Sequence, residues 1–125
     1  MKKGKVFVSV LLAAGLLFVS GCATLSYPEI VTPDLMSVED GVHTGEYVFT
    51  GSPVWVRLQI LMADHVIKQC TILHHECSWI GEGANVLAER IVAAQSLDLD
   101  VVSGATVSSM SILKAAQIAL ESPAE

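Results

Sequence analysis

The chain has 125 residues, a formal charge of −6 and 52% apolar side chains, with a mean hydropathy of +0.57. That length holds one domain and leaves no room for a separate second one. The hydropathy is high for a small soluble domain, so the position of the apolar residues decides what kind of protein this is.

Much of the excess lies at the amino end. Lys2, Lys3 and Lys5 precede an uncharged run from Val6 to Val19, which stops at the small residues Ser20 and Gly21. The run is shorter than the ~20 apolar residues of a membrane-spanning helix, and its layout is that of a signal peptide over residues 1–21. Val19-Ser20-Gly21-Cys22 resembles the lipobox of bacterial lipoproteins. That resemblance implies cleavage before Cys22 and lipidation of its thiol. Two or three acyl chains, at ~0.8 kcal/mol per buried CH₂, anchor a domain to a membrane without a spanning helix. The expected location is therefore extracytoplasmic, at the membrane surface.

Loss of residues 1–21 leaves 104 residues, with Arg57, Lys68, Arg90 and Lys114 against all thirteen acids, a formal charge of −9. No cluster of bases remains to neutralise phosphates, which argues against a nucleic-acid partner. Residues 22–39 carry two prolines and no clear period, and are expected to be a tether whose last residues begin the fold. Residues 122–125 are expected to be a short tail.

The folded part, residues 40–121, begins with β patterning. Glu46 to Thr50 is a strand candidate, and Gly51-Ser52-Pro53 interrupts it with turn residues. Val54, Val56, Leu58, Ile60 and Met62 alternate with polar or bulky neighbours, the period of a strand with one buried face. Ala63-Asp64-His65 reads as a tight turn, and Val66 to Leu73 alternates again through Ile67, Gln69, Thr71 and Leu73. Helical spacing follows. Residues 84–96 place Leu87, Ile91 and Ala94 on one stripe, with Glu89, Arg90 and Gln95 on the surface. Residues 109–121 place Ile112, Leu113, Ala116, Ala119 and Leu120 on another, with Ser109 as a candidate N-cap. The pattern predicts a single α+β domain, a small hairpin-based antiparallel sheet with two helices packed on one face.

Cys70 and Cys77 form an even pair, open to a disulfide, to two free thiols or, with His74 and His75, to a metal site. The absence of a CxxC spacing weighs against metal. Scattered His43, His65, His74 and His75 form no general acid–base constellation, so no catalytic residues are assigned.

The stretch from Gln95 to Ser109 is more specific. Ser103, Thr106, Ser108 and Ser109, with the small Gly104 and Ala105, precede a helix amino terminus, where unpaired N–H groups and the helix dipole favour a phosphate. Capping is the plainer role for Ser108 and Ser109. Asp100-Val101-Val102-Ser103-Gly104-Ala105-Thr106-Val107-Ser108 resembles the flavinylation motif of the FMN-binding domain family. That family is shared by the flavin-bearing subunits of Na⁺-translocating NADH:quinone reductase and of the Rnf complex, and by small exported electron carriers. Asp40-Gly41-Val42-His43-Thr44-Gly45-Glu46, the Gly81-Glu82-Gly83 loop, Ala94-Gln95-Ser96 and Lys114-Ala115-Ala116 follow in the family's order.

The resemblance implies FMN bound covalently through a phosphodiester on Thr106, with Ser103, Gly104, Ala105 and Ser108 around the phosphate. It implies an FAD:protein FMN transferase as partner, with Asp100 serving transferase recognition or the loop's shape. It implies an electron carrier passing electrons between redox partner proteins. A flavin-free binding or accessory lipoprotein that keeps the fold is the alternative. Where larger relatives carry Glu-Thr-Pro-Gly-Leu-Gly, this chain has Glu76-Cys77-Ser78-Trp79-Ile80-Gly81, so the ring's neighbours are open. Trp79, His75 and Tyr47 are candidates.

Overall fold

A computed structural model describes residues 25–125; the expected signal peptide and Cys22 lie outside the described residues. The architecture is the expected α+β one. Strands β1 (Gly41–Val48), β2 (Trp55–Ala63) and β3 (Val66–Glu76) form an antiparallel sheet in the order β1-β2-β3. A 3₁₀ turn at Gly81–Val86 leads into helix α1 (Leu87–Ala94), and helix α2 (Thr106–Glu121) closes the domain. Helix α2 packs on β1 and β2, and α1 on β3. No helix among the described residues is long and apolar enough to cross a membrane.

Strand β2 is the spine of the core. Val56, Leu58 and Ile60 are 0% exposed, and they meet Leu87, Ile91, Ile112, Ala115, Ala116 and Ala119 from the two helices. The turn after it uses only Asp64 and His65, with φ of 53° and 58°. Two successive positive φ values are those of a type I′ hairpin turn, whose twist matches that of its strands. Asp40 accepts the His65 amide at 3.2 Å. Its carboxyl is held below the usual value by the backbone N–H groups of His65 and Asp64, which pins the start of β1 to this turn.

Both outer strands depart from the expected pattern. Strand β1 starts at Gly41 rather than Glu46 because its inward residues, His43 and Gly45, are not the apolar side chains that reveal a strand. His43 is 1% exposed, with Nδ1 2.7 Å from the Ser122 carbonyl and Nε2 2.8 Å from that of Glu39. Strand β3 runs on to Glu76, and its pairing with β2 slips twice, beside Arg57/Leu58 and Leu61/Met62. Each β-bulge inserts one residue and reverses which side chains face inward. Ile67 is buried, Cys70 and Ile72 then point toward the core, and Gln69, Thr71 and Leu73 stay exposed.

Gln95, expected on the surface, is instead a brace. It ends α1 in the left-handed region, which leaves Ala94 exposed rather than buried. Its side-chain amide donates to the carbonyls of Val92 (2.7 Å) and Ile67 (2.8 Å), and its oxygen accepts the Ile67 N–H at 2.8 Å. It therefore supplies Ile67 with ladder partners from outside the sheet, beside a bulge. Gln95→Ala orphans these groups, and at about 1–3 kcal/mol for a buried group left unpaired the expected loss is about 2–4 kcal/mol, read from urea denaturation.

Both flanks of the domain are fastened. Lys114 Nζ donates to the Glu29 carbonyl at 3.1 Å, Val31 N–H to Gln117 Oε1 at 3.0 Å, and Leu97 N–H to Thr32 Oγ1 at 2.9 Å. Val38 is 5% exposed. The stretch read as tether is thus packed on the domain from about Glu29 onward. At the other end, Glu125 N–H donates to the Val42 carbonyl at 2.8 Å, so the tail lies along β1.

Candidate functional site

Helix α2 starts at Thr106, three residues earlier than expected, and Ser109 is not its cap. Ser109 is fully buried inside the helix, where its Oγ accepts the Val102 N–H at 3.0 Å. The Ala105 N–H donates to the Val102 carbonyl at 2.9 Å. These two bonds fold residues 102–105 into a tight turn, with Gly104 at φ +79°, a conformation glycine adopts without strain. The N-cap is Ala105, and no side chain caps the helix. The first N–H groups of α2 therefore keep their donor capacity for a ligand or water.

The residues bearing those groups line a cavity of about 340 Å³. Its walls are Gly104 to Ser108 from the turn and helix, Ser52 and Val54 from the β1–β2 loop, and Ser78 and Gly81 from the loop after β3. The Phe49 N–H donates to the Val54 carbonyl at 2.9 Å, closing the β1–β2 loop that brings Ser52 to this wall. No wall residue is charged, so an anion here depends on backbone dipoles and hydroxyls, worth about 0.3–2 kcal/mol at a helix amino terminus.

Of the residues expected around a phosphate, Gly104, Ala105, Thr106 and Ser108 line the cavity. Ser103 does not, being exposed on the turn; Asp100, expected to serve transferase recognition or the loop's shape, is exposed on the loop before it. Sequence reasoning missed Ser52, Val54 and Ser78, which arrive from loops far away in the chain and carry only turn-type signals. It also missed the partners of Ser108. Ser108 is 3% exposed, with its Oγ 3.0 Å from His75 Nε2, while His75 Nδ1 lies 2.6 Å from Asn85 Oδ1.

Gly81 seals this corner. A Cβ there would stand 2.5 Å from Ser108 Oγ and 2.8 Å from Cys77 Cβ. Gly81→Ala is expected to lift the 77–81 loop from α2 at a cost of about 1–3 kcal/mol in thermal or urea unfolding.

No cysteine or histidine lines this cavity, although His75 and Cys77 reach its wall residue Ser108 from behind. Cys70 and Cys77 are free thiols. Extended strand separates them over residues 70–76, roughly 20 Å at ~3.3 Å per residue, and a disulfide needs Cα atoms within about 7 Å. Burial pushes the Cys70 thiol up to about 12, so it stays protonated and is a poor metal ligand. The Cys77 thiol is also raised, by desolvation first, with the Ser108 hydroxyl opposing and Glu82 adding to the rise. His74 packs on Trp55 with centroids 4.2 Å apart and the rings tilted by 41°, whereas His75 turns to Ser108. Among the described residues no group of three or more His, Cys, Asp and Glu is placed to hold a metal.

The model of the FMN-binding domain matches residues 50–121, more than half of the chain. The chain belongs to the FMN-binding domain family. No curated protein matches its sequence. The match contains every residue of the cavity wall, and it begins after the Asp40–Glu46 segment that resembles the family's opening. FMN is the cofactor of this family. The uncapped helix start, the uncharged wall and the side-chain-free approach at Gly104 fit its phosphate group. Of the three candidates for contact with the FMN ring, His75 is committed to Asn85 and Ser108. Tyr47 packs edge-on against Phe49 with centroids 6.4 Å apart. Trp79 is 82% exposed, on the loop whose Ser78 and Gly81 form the cavity wall.

Proposed function

We propose that this FMN-binding domain carries its cofactor covalently on Thr106 and serves as an extracytoplasmic electron carrier, anchored to the membrane through a lipidated Cys22. The observation that carries the reading is the position of Thr106. It is the first residue of an uncapped helix and lies in the wall of an uncharged cavity, inside the segment that matches the family.

Attachment by an FAD:protein FMN transferase forms a bond from Thr106 Oγ to the FMN phosphorus, breaks the diphosphate link of FAD and releases AMP. The threonine proton leaves to solvent or base. The exposed Asp100 and Ser103 flank the turn, where the transferase can reach them. The N–H groups at the start of α2 then hold the phosphodiester beside Ser108, and Gly104 admits it to the backbone. The isoalloxazine supplies the redox chemistry, and the chain supplies position and electrostatics. Trp79, exposed beside the cavity, is the residue best placed to cover the ring. Covalent attachment suits an exported protein, because a dissociable FMN is lost by dilution outside the cytoplasm.

Expression in an exporting host with an active transferase tests this. A yellow protein whose flavin fluorescence stays with the polypeptide on a denaturing gel is the expected result. A colourless protein favours the flavin-free accessory lipoprotein instead.

A further inference from the structure

A second cavity, of about 480 Å³, lies behind the Thr106 site, with Cys70, His74, His75, Glu82, Asn85 and Glu89 among its lining residues. Ser108 faces the first cavity and His75 the second, so their 3.0 Å hydrogen bond crosses the wall between them. Asn85 Oδ1 accepts from His75 Nδ1–H at 2.6 Å. In the neutral ring this leaves Nε2 as an acceptor, which takes the Ser108 hydroxyl proton. Ser108 then presents only lone pairs to its own cavity.

We propose that His75, acting through Ser108, is the positioning residue for a phosphodiester on Thr106, in a protonation-coupled hydrogen-bond relay. The inference rests on the covalent-FMN reading. When His75 holds both ring protons, Nε2–H donates to Ser108 Oγ, and the hydroxyl proton is released toward a phosphate oxygen. When it holds one, the hydroxyl points away from the anion. The cavity wall contains no lysine or arginine, and a doubly protonated His75 ring puts a positive charge one hydroxyl removed from the ester. The negative charge of the phosphodiester and the positive charge of a doubly protonated ring are thus coupled through the Ser108 hydroxyl.

The surrounding charges are compatible with this. Glu82 and Glu89, on the elements packed over His75, are exposed at the rim of the second cavity and place their negative charge on the His75 side of the relay. The Cys77 and Cys70 thiols, both raised, add no charge. His74 lies against Trp55, 3.8 Å from Glu76. Arg57, its register partner on β2, is exposed.

The test is ³¹P NMR of the flavinylated protein as a function of pH, with the adduct first established by intact mass. A phosphodiester has no proton to lose between about pH 5 and 8, where a histidine titrates. The expected result is a ³¹P resonance that moves through one transition in that range in the wild type and stays flat in His75→Gln. A flat wild-type resonance on a protein that carries the adduct overturns the relay, as does a transition that persists in His75→Gln. A flat wild-type titration overturns the relay whether or not the variant folds; if His75→Gln does not fold, Ser108→Ala takes its place, and a transition that persists there overturns the relay. A wild type without adduct overturns the flavin reading, and this inference with it.

Discussion

Gly45→Ala is expected to destabilise the domain by about 3 kcal/mol or more, at the upper end of what overpacking costs. Gly45 lies on β1 where α2 crosses it. A Cβ there would fall onto the Ala115 carbonyl oxygen and come within 2.6 Å of the Ala119 amide nitrogen and 2.9 Å of its Cβ. Two of these atoms are helix backbone, so no rotamer change relieves the clash, and β1 and α2 must separate. Ala115, Ala116 and Ala119 are each 0% exposed, chosen small so that helix and strand approach closely. Separation therefore opens the core along that whole face. For a domain near 100 residues, such a loss lowers the melting temperature by more than about 10 °C. Gly83→Ala is the control. Nothing lies within 4 Å of a Cβ at Gly83, and the expected change is within about 0.5 kcal/mol. Thermal unfolding followed by circular dichroism checks both, and equal effects at the two positions would contradict the close packing of α2 on β1.

Thr106→Ala is expected to abolish covalent flavin and leave the fold intact. Thr106 is the first residue of α2 and only half-buried, and alanine is a better helix former than threonine, so stability should change by no more than about 0.5 kcal/mol. The hydroxyl is the only group on this side chain that can form the phosphodiester. Thr106→Ser keeps that hydroxyl and is expected to retain attachment. The pair separates a chemical requirement from a merely structural one, with flavin fluorescence on a denaturing gel as the readout for each.

How much of this was legible in the chain depended on where the information lay. Strand β2 could be read because its inward residues are all apolar and strictly alternate, and the hairpin because Asp64 and His65 fall between two alternating runs. The first half of β1 was hidden because its inward positions hold a histidine set between two carbonyls and a glycine pressed against a helix. The inward face of β3 was misread because two bulges change its phase, and a bulge leaves no mark in hydrophobic periodicity. The true start of α2 was obscured by serines, which normally sit at caps. Here Ser108 and Ser109 are buried and committed to His75 and Val102.

The candidate site divides in the same way. Gly104 to Ser108 were legible as one contiguous motif, and the structure places them on one wall. The opposite wall, from Ser52, Val54, Ser78 and Gly81, exists only after folding. The His75–Ser108 contact spans 33 residues and joins two positions that look unremarkable in the chain.

Where FMN is held is tested most directly by the intact mass of the mature protein, purified from an exporting host that contains the transferase, for the wild type and Thr106→Ala. The wild type is predicted to be heavier than its lipidated polypeptide by FMN less one water, and Thr106→Ala to lack that increment. A wild type without the increment, or an adduct that survives in Thr106→Ala, would contradict attachment at Thr106.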